Sequence, residues 1–342
     1  ELQYVQSPYN DSAVQDGSFG NEMVLVHPNH PPKRLYYNNG QYVFAEIPFT
    51  WSPTGTPTTQ TPSEYSWPSG AYPAACTSYL GRLVLAGSNK DPTLGSLTGS
   101  LAEKVWMTEV GRWFRFTDPN STEVNPDDSI EFSSTYRSPI QWVHGQSNLL
   151  VGSESYEYVS NADGIYSPGD LGVFLQSTHG SERVQPVPMG QYVLFAAEQG
   201  SRVRAMQYIA ESEYWISPDT TIYHPDLFAR NGGIRRMARM RNPHQICVCV
   251  MGNGVLALLH QDSYANISAW SRLSVGGNVK DICVLPQEDG TDVLYMLVRR
   301  TIGGVNKLYL EAIADWTYAE ENNWGYTGSS VTFIPAAASN VI

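Results

Sequence analysis

The chain has 342 residues, and its 33 Asp and Glu against 21 Lys and Arg give a formal charge of −12, which disfavours general affinity for nucleic acid or anionic membrane because phosphates are repelled. Only 16% of residues are charged, while 29 Gly, 22 Pro, 21 Tyr and 9 Trp suit many short strands joined by turns, where an average domain carries roughly 25% charge. No apolar run approaches the roughly 20 residues that span a bilayer, so no membrane anchor is expected.

In chain order, alternating or continuous apolar runs of strand length recur in groups of three or four, with almost no helical periodicity. The first group is "EMVLVH", "KRLYY" and "QYVFAEI"; the second is "AACTSY", "GRLVLAG", "EKVWMTE" and "RWFRF". A third runs "PIQWVHG", "NLLVGS", "YEYVS", and a fourth "RVQPVPM", "QYVLFAAE", "SRVRAMQY". Then come "IRRMARMR", "HQICVCVMG", "GVLALLHQ", "AWSRL", and finally "VKDICVLP", "DVLYMLVRR", "NKLYLEAIA". Leading strands recur at roughly 45 to 65 residues, the length of a four-stranded propeller blade with variable loops. The fold class expected is all-β, a β-propeller of about six blades with irregular inserted loops. A pair of stacked sandwiches is the alternative; radial sheets leave fewer open edges, and this chain has little charge with which to guard them.

The propeller is expected over residues 21–316. Residues 1–20 read as a lead-in from a missing N-terminal region and 317–342 as a linker or the start of a missing C-terminal one, since residue 1 is Glu rather than Met. The Thr/Pro/Ser-rich stretch from Thr50 to Gly70 reads as an exposed excursion.

"HPNHPPKRLYY" places His27 and His30 three apart. Pro28, Pro31 and Pro32 forbid the helix that would put both imidazoles on one face, and a metal needs about four ligands. A stiff turn between strands is expected, with no metal and no cofactor. Cys76, Cys247, Cys249 and Cys283 form no C-x-x-C pair and read as buried free thiols, Cys247 and Cys249 on one strand face.

The wording also carries a resemblance. "SPYNDSAVQDGSFGNEMVLVHPNHPPKRLYY" resembles the segment that opens the propeller region of phage tail nozzle proteins, also called tail tubular protein B. It continues in order through "YPAACTSYLGRLVLAGSNKDP", "DDSIEFSSTYRSPIQWVHGQSNLLVGSESYEYVS" and "LQSTHGSERVQPVPMGQYVLFAAEQGSRVRAMQY", then "SPDTTIYHPDLF", "NGGIRRMA" and "DVLYMLVRRTIGGVNKLYLE", covering most of residues 7 to 313. The resemblance implies a non-enzymatic virion part, made in the bacterial cytoplasm. Such proteins form a ring, usually a hexamer, at the distal end of the tail. The ring is the DNA exit channel, passes phage DNA without specific binding, and docks on tube, adaptor and fibre proteins. Members of that family extend further at both ends than this chain does.

Enzymatic readings find less support. No G-x-S-x-G elbow occurs; "GSLTG" at Gly95 to Gly99 has the wrong spacing. Glu154, Glu157, Asp163, Glu211 and Glu213 are the carboxylates from which a glycosidase pair would be drawn, yet "SNADGIYS" breaks the sialidase box and no arginine triad is evident. Asn161, Asp163 and Asp170 lack the dense acids of a calcium loop. No catalytic residue is assigned. The rival class is a carbohydrate-binding or glycan-cleaving propeller, with Trp51, Trp67 and Trp215 stacking on sugars.

"RNGGIRRMARMR" holds Arg230, Arg235, Arg236, Arg239 and Arg241. In a strand Arg235, Arg239 and Arg241 share a face with Met237. These three are the candidate contact with a neighbouring subunit or with DNA; the alternative is a solvated face paired with local Asp and Glu.

Overall fold

A computed structural model describes residues 2–6, 22–49, 67, 69–89, 101–117, 123–134, 136–161, 172–211, 213–262 and 267–313. It is almost entirely strand, with a single-turn helix α1 (Asp226–Ala229). The first sheet is β1 (Gln3–Gln6), β2 (Met23–His27), β3 (His30–Asn38) and β4 (Gln41–Glu46). The second is β5 (Ala75–Tyr79), β6 (Arg82–Ala86), β7 (Lys104–Met107) and β8 (Ile130–Ser133). The third is β9 (Ile140–Gly145), β10 (Leu149–Ser153), β11 (Glu157–Ser160) and β12 (Val173–Ser177). β13 (Val187–Met189), β14 (Tyr192–Ala197), β15 (Arg202–Ile209) and β16 (Tyr214–Ile216) make the fourth. β17 (Ile234–Met240), β18 (Ile246–Met251), β19 (Leu256–Asp262) and β20 (Ile267–Leu273) make the fifth. The sixth, among the described residues, has three strands: β21 (Asn278–Pro286), β22 (Asp292–Ile302) and β23 (Val305–Ala312).

Each sheet is a meander in which every strand pairs with the next along the chain. Six such small antiparallel sheets in succession are the blades of a six-bladed β-propeller. The chain divides into two compact units, Glu1–Arg235 and Arg236–Ile342.

In the first unit the apolar cores lie between successive sheets, and strand alternation decides which core a residue joins. Along β6, Leu83 and Leu85 pack with Val24, Val26 and Trp106 toward the first sheet. The intervening Val84 and Ala86 pack with Ile140, Val143 and Val151 of the third. β10 repeats the device: Leu149 and Val151 face the second sheet, while Leu150 joins Trp142, Val193 and Phe195 against the fourth. A strand buried on both faces must be apolar at every position, which is why "RLVLA" and "LLVGS" do not alternate. Each fully buried Leu or Val contributes about 1.5–3 kcal/mol. Gly152 leaves room for its cross-strand partner: a Cβ there would stand 2.1 Å from Trp142 Cε2. In the second unit one core joins Val248, Val250 and Leu256 of the fifth sheet to Leu294, Met296 and Val298 of the sixth.

Arg82 fastens a loop onto the second sheet. Its buried guanidinium donates to the carbonyl oxygens of Thr108 (2.8 Å), Asp128 (2.5 Å) and Pro126 (2.7 Å). Burial pushes its pKa down, and the nearby charges of Asp127, Asp128 and Glu109 act the other way. At the far end of the chain, β22 and β23 form a long hairpin whose tip is Gly303–Gly304, with φ of 60° and 80°. A two-residue turn with both φ positive matches strand twist and suits glycine. Below it Arg300 grips Glu311 with two parallel bonds of 2.5 and 2.7 Å.

Several strands differ from expectation. Gln3–Gln6, expected in a lead-in segment, pairs with β2 in register Gln3↔Val26. "RWFRF" is not a strand of the second sheet: Trp113, Phe114 and Phe116 are buried side chains of a turn that caps the first core. The fourth strand is β8, "IEFS". His27 and His30 do flank the turn between β2 and β3, but as cross-strand partners their rings come within 5.1 Å. A hairpin achieves what the prolines forbid to a helix. Among the described residues, no group of three or more His, Cys, Asp or Glu is placed to hold a metal ion. Trp67, from the expected exposed excursion, is buried against Phe49 and Trp106; residues 50–66 and the tail from 314 lie outside the described residues.

Candidate functional site

Where the inner strands of the first unit begin, polar side chains from all four of its sheets converge. Gln141, second residue of β9, accepts a bond from Arg183 Nε at Oε1 (3.2 Å). Arg183 lies in the lead-in to β13, and its Nη1 donates to Asn89 Oδ1 (3.2 Å) from the loop after β6. Asn89 is oriented by donating from Nδ2 to Asn29 Oδ1 (2.5 Å) in the β2–β3 turn. Gln3 of β1 donates from Nε2 to the Gln141 carbonyl (2.8 Å), and Gln185 clasps the Tyr4 backbone with bonds of 2.7 and 3.3 Å. Gln3 Oε1 is buried and, among the described residues, has no hydrogen-bond partner. Beside this hub lies a pocket of about 210 Å³ walled by Gln141, Glu182, Arg183, Val184, Ile234 and Arg235.

Among the described residues, its walls offer two guanidiniums, one carboxylate and an amide.

Of the arginines singled out in sequence, Arg235 is exposed at this pocket, and among the described residues no carboxylate pairs with it. The others are in part committed locally. Arg230 pairs with Asp226 at 3.2 Å, Arg236 with Asp281 at 2.8 Å, and Arg241 with the buried Asp292 at 3.4 Å. Burial lowers the Arg239 pKa, with Arg241 adding to the effect. Arg235 falls in the first unit, Arg239 and Arg241 in the second.

The carboxylates considered for catalysis are scattered in environment. Glu154, Glu211 and Glu213 are exposed, and Asp163 lies outside the described residues. Glu157 is fully buried and accepts from Ser177 Oγ (2.6 Å), Ser181 Oγ (3.0 Å) and the His179 N–H (3.2 Å). Desolvation pushes its pKa up despite these donors. It therefore knots the connection from the third sheet to the fourth rather than facing a substrate. Trp67 is in the core, Trp215 half-buried against Tyr208, and Trp51 outside the described residues. Cys76, Cys247 and Cys249 are buried, the last two with sulfurs 4.0 Å apart, but Cys283 is exposed. On β21 the alternation turns Ile282 inward and Cys283 out.

A second kind of surface lies on the outer strands. β4 exposes Tyr42 (78%) and Phe44, β12 exposes Phe174, and β23 exposes Leu308 and Leu310 (74%). Side chains of this size left in water are candidate contacts for other chains.

No protein-family model matches this chain, and no curated protein matches it significantly. Among solved structures it is similar to a Bacteroides uniformis protein provisionally named a 6-phosphogluconolactonase. The TM-score is 0.45 and the identity 12%, over 82% of this chain and 77% of that one. At that distance the likeness carries no argument about activity.

Proposed function

We propose that the chain is the propeller body of a tail-nozzle subunit of a short-tailed phage. It is a virion protein, made in the bacterial cytoplasm, that assembles as a ring, hexameric in the family it resembles, around the exit path of the DNA. The observation that carries this reading is the collinear series of sequence pieces resembling nozzle proteins. Those pieces fall on every sheet: β2 and β3, β5 and β6, β8 to β11, β12 to β15, β17, and β22 with β23. The apolar outer strands support it further, as surfaces for neighbouring subunits or for tube, adaptor and fibre proteins.

The role is mechanical rather than catalytic. A ring of subunits each carrying −12 repels exiting DNA, so the strand slides instead of sticking. Negative-stain microscopy of the protein tests the reading. Ring particles are expected; dispersed monomers at about 10 μM, well above the dissociation constant of a stable interface, overturn it.

A further inference from the structure

We propose that the pocket beside the polar hub of the first unit is a phosphate-binding site, with Arg183 and Arg235 as its paired guanidiniums. The inference is independent of the nozzle reading and fails or stands without it. The two arginines come from different sheets, one from the lead-in to β13 and one from the start of β17, and wall the same cavity. Two of the acceptors that fix Arg183, at Nε and Nη1, are the amide oxygens of Gln141 and Asn89. Such side-chain acceptors hold a guanidinium in one orientation, which is the preorganisation an anion site needs. Asn89 is itself locked by Asn29, so the orientation is set by a chain of three side chains. Arg235 is exposed, and among the described residues no carboxylate pairs with it. With Glu182 counted, the six walls carry a net charge of +1 (two Arg, one Glu) in a chain of −12.

The cavity is large enough, at about 210 Å³, where some 10–15 Å³ admits one water. Guanidinium forks match the oxygens of a tetrahedral oxyanion two at a time. Glu182 adds selectivity. An ionised carboxylate only accepts hydrogen bonds, so it favours an anion that retains a proton. Phosphate near neutral pH supplies a P–O–H; sulfate does not.

Titration calorimetry of the chain with inorganic phosphate, against chloride at equal ionic strength, tests this. Saturable binding of one phosphate per chain is expected, with sulfate and acetate weaker. Arg235→Gln, at an exposed position, should weaken phosphate by about tenfold or more, the worth of a lost charge-assisted bond. Arg183→Gln should do the same, with its fold checked by melting because that side chain also joins sheets. Arg230→Gln, outside the pocket, should leave affinity unchanged, and Glu182→Gln should narrow the gap between sulfate and phosphate. A single-stranded oligonucleotide added as competitor separates the sources. The chain's net charge predicts that it fails to displace phosphate, which assigns the site to a free phosphate or small ester; displacement assigns it to a nucleic-acid backbone. Absence of saturation up to about 10 mM, a weak-binding ceiling, overturns the proposal. So does affinity that survives Arg235→Gln, or acetate binding as tightly as phosphate.

Discussion

The second and sixth sheets are both antiparallel meanders, yet they are stabilised in different ways. In the second, β6 is buried at all five positions, and Arg82 lies wholly inside. In the sixth, β22 alternates between buried and half-buried residues and β23 is exposed along most of its length. The second sheet has a packed neighbour on each face within its unit, so both parities of its strands are apolar. In its own unit the sixth shares a core with the fifth sheet, and alternation returns. Burial on two faces leaves little tolerance for change; burial on one leaves a surface open to other uses.

That contrast predicts a graded set of outcomes. Arg82→Ala removes the donor to the buried Thr108 carbonyl, at a cost of about 1–3 kcal/mol, and frees the Pro126 and Asp128 carbonyls of the more exposed loop, which water can reach. Urea titration should show a loss of about 3 kcal/mol from the unit that contains it; a loss below about 1 kcal/mol would mean that water replaces the guanidinium at Thr108 as well. Next comes Glu157 of the third sheet. Its folded pKa is raised, so the native state holds its proton more tightly than the unfolded state does. Stability is therefore full below the ordinary value of about 4.5 and falls as pH rises toward the raised value. The loss is about 1.4 kcal/mol for each tenfold change in the ionisation constant. Glu157→Gln should flatten that part of the stability–pH curve, and an unaltered slope would sink the assignment.

Smaller still is the effect expected in the sixth sheet. Leu308→Ser with Leu310→Ser should change the chain's stability by no more than about 0.5 kcal/mol, while weakening the proposed ring assembly if β23 is a docking strand. A drop of several kcal/mol would show that these leucines are covered in the isolated chain. The mildest probe leaves the fold intact. A disulfide reagent such as DTNB should titrate one thiol per native chain, Cys283, and the remaining three only after denaturation. Burial and Asp281 hold the Cys283 thiol above its ordinary pKa, so it should react more slowly than a free cysteine. Two or more reactive thiols would erase the distinction between the sheets.

The same contrast governs how far the sequence could be read. Inner and middle strands such as "ICVCVM" and "RLVLA" are legible because double burial demands unbroken apolar runs. Outer strands are not: "VFLQS" of β12 and "YWI" of β16 are short and face water, so neither alternation nor continuity marks them. "RWFRF" misleads in the opposite sense, because aromatic alternation also suits a turn that plugs a core. Of the pocket, Arg235 stands out in a basic cluster, but Arg183 sits alone in its stretch. Asn29, Asn89 and Gln141 reach it from up to 154 residues away in sequence (183 − 29). Only the stacking of sheets joins them, and no local pattern encodes that.

The β22–β23 hairpin also has a practical use. At its tip, nothing among the described residues lies within 4 Å of a Cβ added to Gly303 or Gly304, and the Arg300–Glu311 clasp holds the register beneath. A short epitope, a biotin acceptor peptide or a fluorophore-bearing cysteine inserted between those glycines would project from strands already paired without it. The molecule thus carries its own mounting point, where it can be tethered to a surface or followed by single-molecule optics with both faces of every blade left untouched.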